Sequence, residues 1–256
     1  THVENELIIQ IPSVARAYGA RKLSTFEFRS SIEAMSQILQ LFGPISSGDA
    51  RRLRESPSRG IDLEGRFWKS IKRCLQDSGD DEKHLSYARE VARTYPKLWP
   101  MIAEYFEGLG RLSDALDCWK MYIEMGSSTK HAWKQVAVLC EKLEKDLEAL
   151  QSWTSRARCV DASIEDMDFA ANKVNSWLAR LKTKGERLER SVRLTLIQPL
   201  VDVYEARLAE CSADSYSKFA WLLRNIGDEG RAIKVAEAGL QKDPENHHLQ
   251  RFLNLD

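Results

Sequence analysis

WPMIAEYFEGLGRLSDALDCW, residues 99–119, and WKQVAVLCEKLEKDLEALQSW, residues 133–153, are two versions of one segment set 34 residues apart. In that register Trp99 falls on Trp133, Ala103 on Ala137, Glu107 on Glu141 and Leu109 on Leu143; Ala115 falls on Ala149, Leu116 on Leu150 and Trp119 on Trp153. Within each version the first Trp, the first Ala, the second Ala and the second Trp are separated by 4, 12 and 4 residues. Side chains four apart share one face of a helix, and the longer gap leaves room for a turn between two helices. A small Ala where two helices cross lets the backbones approach, and the neighbouring Trp fills the groove that results. A period of this length marks a supersecondary unit that cannot bury its apolar face alone and must stack on its neighbours.

The pattern resembles the tetratricopeptide repeat (TPR) family. The copy from Pro96 carries Trp99, Ile102, Ala103, Phe106, Gly110, Ala115, Trp119 and Tyr122 in the family's order. The copy from Lys130 carries Trp133, Val136, Ala137, Cys140, Ala149 and Trp153, but Glu144 stands where the turn glycine belongs. A third copy, ADSYSKFAWLLRNIGDEGRAIKVAEAGLQKDP from Ala213, carries Tyr216, Phe219, Ala220, Leu223, Gly227, Ala232, Ala236, Gly239 and Pro244. Its NIGDEGRA corner places Gly just past one helix and an Asp cap at the start of the next. Tyr95-Pro96 reads as the close of an earlier, degenerate copy whose second helix runs from about Glu82 to Thr94. The resemblance implies an all-α fold of stacked antiparallel helical hairpins, a TPR-like right-handed α-solenoid with a C-terminal capping helix.

Outside these copies the pattern changes. Residues 163–211 read as two long helices, around Ile164–Lys182 and Glu186–Glu210, with Pro199 expected to kink the second. After Pro244, residues 245–256 read as a short helix with Leu249, Phe252 and Leu253 inward, the cap a solenoid end requires. Residues 1–80 do not repeat visibly and read as a divergent helical segment. There Ser24 or Thr25 caps a helix to about Leu41, residues 43–60 form a mobile loop, and a helix resumes over Asp62–Gln76. The expected organisation is thus a helical N-terminal segment, 1–80, followed by the repeats, 81–256. The chain begins with Thr1, which suggests a piece of a longer protein.

Composition narrows the function classes. Thirty-eight Lys and Arg balance 38 Asp and Glu, hydrophobic residues make up 43% and charged residues 30%. That is a soluble folded composition without the net positive charge of a protein that coats a polyphosphate. No stretch reaches the ~18–20 apolar residues needed to span a bilayer, and acidic Glu4 and Glu6 replace the basic start of a signal peptide. The five cysteines include no Cys-x-x-Cys, so thiols of a reducing, cytoplasmic compartment are expected. His247-His248 is a poor chelate because adjacent helical residues diverge by about 100°; no metal or cofactor is expected. There is no phosphate-binding G-x-x-x-x-G-K-[ST], no G-x-G-x-x-G, no H-E-x-x-H and no G-x-S-x-G, so no enzyme is expected.

The candidate surface is then the inner wall lined by the first helix of each repeat. It comprises Lys97, Glu104 and Glu107, then His131, Lys134, Glu141 and Lys142, then Asp214, Ser217, Trp221, Arg224 and Asn225. Trp221 either stands exposed as a binding hot spot or is covered by the cap or the long hairpin. TPR domains that clamp chaperone C-termini use a Lys/Asn/Arg set on this wall, and Pro100 with Glu104 in the matching places argues against that mode. A concave helical face implies a protein or peptide partner, and so a scaffold or sensor module. The ending GDEGRAIKVAEAGLQKDPENHHLQ is similar to the C-terminal repeats of STAND-class signalling or defence ATPases, where such arms sense a ligand. The alternative is an RNA- or DNA-associated helical-repeat subunit. It would use basic patches at residues 51–73, with Arg51, Arg52 and Arg54, and at residues 180–193, with Arg187, Arg190 and Arg193.

Overall fold

A computed structural model describes Trp68, Lys69, residues 81–94 and residues 96–254. The expected Ser24–Leu41 helix, the 43–60 loop, Arg51, Arg52 and Arg54, and all of Asp62–Gln76 but Trp68 and Lys69 lie outside the described residues. The chain divides into two compact units, residues 1–101 and 102–256. In the first, helix α1 spans Asp81–Thr94 and buries Leu85, Ala88 and Ala92, spaced to one face. Helix α2, Leu98–Gly108, carries the chain through the division.

The second unit is a succession of helical hairpins: α3 (Leu112–Glu124), α4 (Lys130–Lys142), α5 (Asp146–Ala157), α6 (Ile164–Thr183), α7 (Arg190–Arg207), α8 (Ala213–Ile226), α9 (Glu229–Lys242) and α10 (His247–Leu253). Among the described residues there is no strand, and the fold is all-α, a TPR-like stack of antiparallel hairpins. Helix α4 pairs with α5 and α8 with α9; α3 packs on α4, α5 on α6 and α7, and α6 and α7 on α8. The small residues of the repeat sit at these crossings: Ala103, Ala115, Ala137, Ala220, Ala232 and Ala236 are fully buried and Ala149 nearly so. Trp119 and Trp153 fill the space beside them at 1% and 4% exposure.

One corner ends five of the described helices, α2, α3, α4, α6 and α8. In the α2–α3 turn Gly110 lies at φ 73°, and in the α8–α9 turn Gly227 lies at φ 87°. Glu144, which occupies the glycine position between α4 and α5, adopts the same left-handed backbone at φ 58°. The hydrogen bonds match as well. Gly110, Glu144 and Gly227 donate to the carbonyls of Glu107, Glu141 and Arg224, and the next residue of each turn, Arg111, Lys145 and Asp228, donates to Phe106, Cys140 and Leu223. This paired bonding satisfies carbonyls that a helix end otherwise leaves open. The second repeat therefore keeps the corner without the glycine, at the steric cost of a Cβ in the left-handed region. Glu144→Gly is expected to stabilise the protein by about 0.5–1 kcal/mol, read as a higher thermal midpoint by circular dichroism. An unchanged or lowered midpoint would contradict a strained corner.

The 34-residue step also continues into the long hairpin. Helix α6 begins at Ile164, one period after α4 begins at Lys130, so Met167, Ala171 and Val174 occupy the places of Trp133, Ala137 and Cys140. All three are fully buried. The departure is one of length: α6 has 20 residues where α4 has 13. Pro199 lies inside α7.

The stack closes as a capped end. Leu249 and Phe252 of α10 are buried, and α10 packs on α8 and α9. Gly239 permits the approach: a Cβ there would come within 2.7 Å of Leu249 Cδ1 and 2.8 Å of Tyr216 Cβ. Asn246 caps α10 through the Leu249 amide and donates its Nδ2 to Asp214 at 2.8 Å.

Candidate functional site

Helices α4, α6 and α8 are the first helices of successive hairpins, and polar side chains tie them into one face. Between α4 and α6, Lys173 Nζ reaches Glu141 Oε1 at 2.9 Å and Lys130 Nζ reaches Asp166 Oδ2 at 2.8 Å. Between α6 and α8, Asn225 Nδ2 donates to Asn175 Oδ1 at 2.9 Å, and Asn175 Nδ2 donates to the Lys218 carbonyl at 3.1 Å. Asp168 collects three donors: Tyr204 Oη at 2.7 Å, Ser215 Oγ at 3.0 Å and Lys218 Nζ at 3.0 Å. Burial raises the pKa of the Tyr204 hydroxyl, and the nearby Asp168 carboxylate adds to it, so Tyr204 acts as a fixed neutral donor.

Asp166 is the most enclosed charge of this set, at 7% exposure. It serves α6 as the partner of a capping box with Ser163 and also binds Arg156 of α5 at 2.5 Å. Burial pushes its pKa upward, but the Lys130 hydrogen bond, the Ser163 amide and the Arg156 charge outweigh that and hold it below the ordinary aspartate value. One carboxylate thus joins α4, α5 and α6.

A second linkage repeats with the period. Trp119 Nε1 donates to Glu107 at 3.4 Å and Trp153 Nε1 donates to Glu141 at 2.8 Å, the same bond one repeat apart. Each glutamate also faces a lysine further along the chain, Lys142 at 3.9 Å for Glu107 and Lys173 at 2.9 Å for Glu141. Glu107 and Glu141, paired by identity in the sequence, are therefore structural acceptors as well as surface groups.

The expected surface residues fall into distinct situations. Lys134 is exposed and makes no hydrogen bond or ion pair with the described residues. His131 is exposed and stands edge-on to Trp119 of the preceding hairpin, 5.4 Å between centroids. Arg224 bonds Glu229 at 3.0 Å, and Asn225 is engaged with Asn175. Ser217, expected on the wall, is instead buried at 6% because its position turns into the α8 packing seam. Trp221 meets the cap: its ring lies perpendicular to Phe252 at 5.1 Å, with the Arg224 guanidinium over both rings. Trp221 is half-buried, neither fully exposed nor fully covered.

The sequence reading missed Asp166, Asp168, Asn172, Lys173, Asn175 and Lys218. The signal that finds three of them is the extra period, which places Asp168, Asn172 and Asn175 where Lys134, Val138 and Glu141 stand and marks α6 as a first helix. Of the basic-patch residues, Arg187 and Arg190 are exposed, whereas Arg193 is half-buried and donates to the Asn225 carbonyl at 3.5 Å. Among the described residues, no cluster of three His, Cys, Asp or Glu could hold a metal ion, and no helix is long and apolar enough to cross a membrane. Cys118, Cys140 and Cys211 are buried and Cys159 is half-buried. Burial pushes the pKa of Cys140, Cys159 and Cys211 upward, away from a reactive thiolate.

The class these features define is an all-α helical-repeat protein of TPR-like architecture. Among solved structures the chain is similar to "Crystal structure of MamA protein", at 10% sequence identity, with 73% of this chain and 96% of that chain covered and a TM-score of 0.33. No protein-family model and no curated protein matches the chain.

Proposed function

We propose that the repeats form a non-catalytic protein-interaction module that holds a protein or peptide partner on the face of α4, α6 and α8. The observation that carries this reading is the pair of polar linkages that tie three successive first helices together, Glu141 with Lys173 between α4 and α6 and Asn175 with Asn225 between α6 and α8. Side chains locked by neighbours form a preorganised surface, and Lys134 and Asn172 stand exposed beside them with hydrogen-bonding capacity to spare. An extended segment lying across such a face meets donors and acceptors from several repeats at once. The narrower reading, a sensing arm within a larger signalling or defence protein, is supported by the resemblance of Gly227–Gln250 alone.

The test couples crosslinking to reconstitution. A partner crosslinked to the wild-type chain in nuclease-treated extract is identified, purified and titrated against wild type and Lys134→Glu/Asn172→Arg. Both positions are exposed, so an unchanged thermal midpoint is expected together with a loss of affinity of roughly tenfold or more. A partner that binds both proteins equally well would show that this face is not the binding surface.

A further inference from the structure

The turn between α6 and α7 carries a charge imbalance found nowhere else among the described residues of the second unit. Arg180, Lys182, Lys184, Arg187 and Arg190 are all exposed, and none makes an ion pair with a described residue. The acids interleaved with them are Glu186 and Glu189, and Glu189 already accepts from Ser191 Oγ at 2.8 Å. Elsewhere in the unit many cations are matched, among them Lys120 with Glu148, Lys130 and Arg156 with Asp166, Lys218 with Asp168, Arg207 with Glu210, and Arg231 with Asp228. The local helix end compounds the excess, since α7 starts with Arg190 and Arg193, has no acid in its first turn and has no side-chain cap. Cations at the positive end of a helix dipole repel it, and an anion brought there relieves both.

We propose that this hairpin tip is a docking surface for an acidic segment of a protein partner, separate from the α4–α6–α8 face. Leu181 and Leu188 turn inward against the core, so the tip offers cations without an exposed large apolar side chain to enter a membrane. No aromatic residue lies between Arg180 and Arg193 on which an unpaired base could stack. A chain of zero net charge exerts no general attraction on a long polyanion. The geometry suits a short run of carboxylates, which the arginines can bind through paired N–H groups.

Fluorescence anisotropy with a labelled oligoglutamate tests the idea at low and physiological ionic strength, beside labelled single- and double-stranded oligonucleotides of equal charge. Wild type is expected to bind the oligoglutamate with an affinity that falls as salt rises. Arg187→Glu/Arg190→Glu is expected to lose roughly tenfold or more of it, and a reversal at the exposed Lys234, Lys234→Glu, to leave it unchanged. Both substituted arginines are exposed, so an unaltered thermal midpoint confirms that the variant is folded. Absent binding, or binding indifferent to the double reversal, overturns the proposal. Tighter binding of an oligonucleotide, lost in the same variant, overturns it in favour of a nucleic-acid partner.

Discussion

Trp153→Ala should destabilise the protein by about 3–5 kcal/mol, the cost of emptying a core tryptophan site. The ring is 4% exposed and lies between two hairpins, with Phe169 of α6 edge-on at 4.7 Å and the cations of Arg156 and Lys173 above it. Its removal also strips Glu141 of the indole donor, leaving that carboxylate to Lys173. Because each hairpin is supported by its neighbours, the loss spreads across the α4–α6 interface rather than staying in one repeat. Thermal denaturation followed by circular dichroism should show the midpoint lowered by roughly 10 °C. Trp153→Phe keeps most of the ring and should cost well under half as much. Equal losses for the two variants would mean that the indole hydrogen bond, and not the packing, dominates.

The second large effect is electrostatic. Asp166→Ala leaves Lys130 and Arg156 without their shared carboxylate and removes the reciprocal cap of α6. Breaking a buried pair from one side is expensive because the remaining charge stays desolvated; Lys130, whose side chain is 30% exposed, keeps some water. The expected cost is about 2–4 kcal/mol. The pH dependence follows in sign. The folded-state pKa of Asp166 lies below its unfolded value, so its contribution is fully present above about pH 4 and fades as pH falls through the folded value. Urea titrations at neutral pH and near pH 3 should show the gap between wild type and Asp166→Ala shrinking in acid. A gap that stayed constant would mean the carboxylate acts by shape and not by charge.

The parts of this molecule that were legible in the sequence are those set by shape. Ala103, Ala115, Ala137 and Ala149 must be small where helices cross, and Trp119 and Trp153 must be large beside them, so spacing alone revealed the hairpins. The NIGDEGRA corner was readable for a similar reason, since Gly227 answers a backbone need at φ 87°. Glu144 hid the same corner because an ordinary residue bears the strain there. The polar face was much less legible. Asp166 meets residues 36 and 10 positions away, and Asp168 meets residues 36, 47 and 50 positions away. Such pairings depend on which helices become neighbours, and no local period encodes them. Trp221 was ambiguous for the same reason, since its environment is decided by the cap, Phe252 above all.

The bonds from Trp119 to Glu107 and from Trp153 to Glu141, each extended by a lysine further along the chain, have a mechanical consequence. Both of these glutamates are held from two sides, by a ring in the same hairpin and by a cation that arrives with later residues. Tension applied at the C-terminal end therefore meets the rungs one after another rather than all together. Lys173 must leave Glu141 before Lys142 need leave Glu107, so the unit would lengthen in steps and re-form in the reverse order.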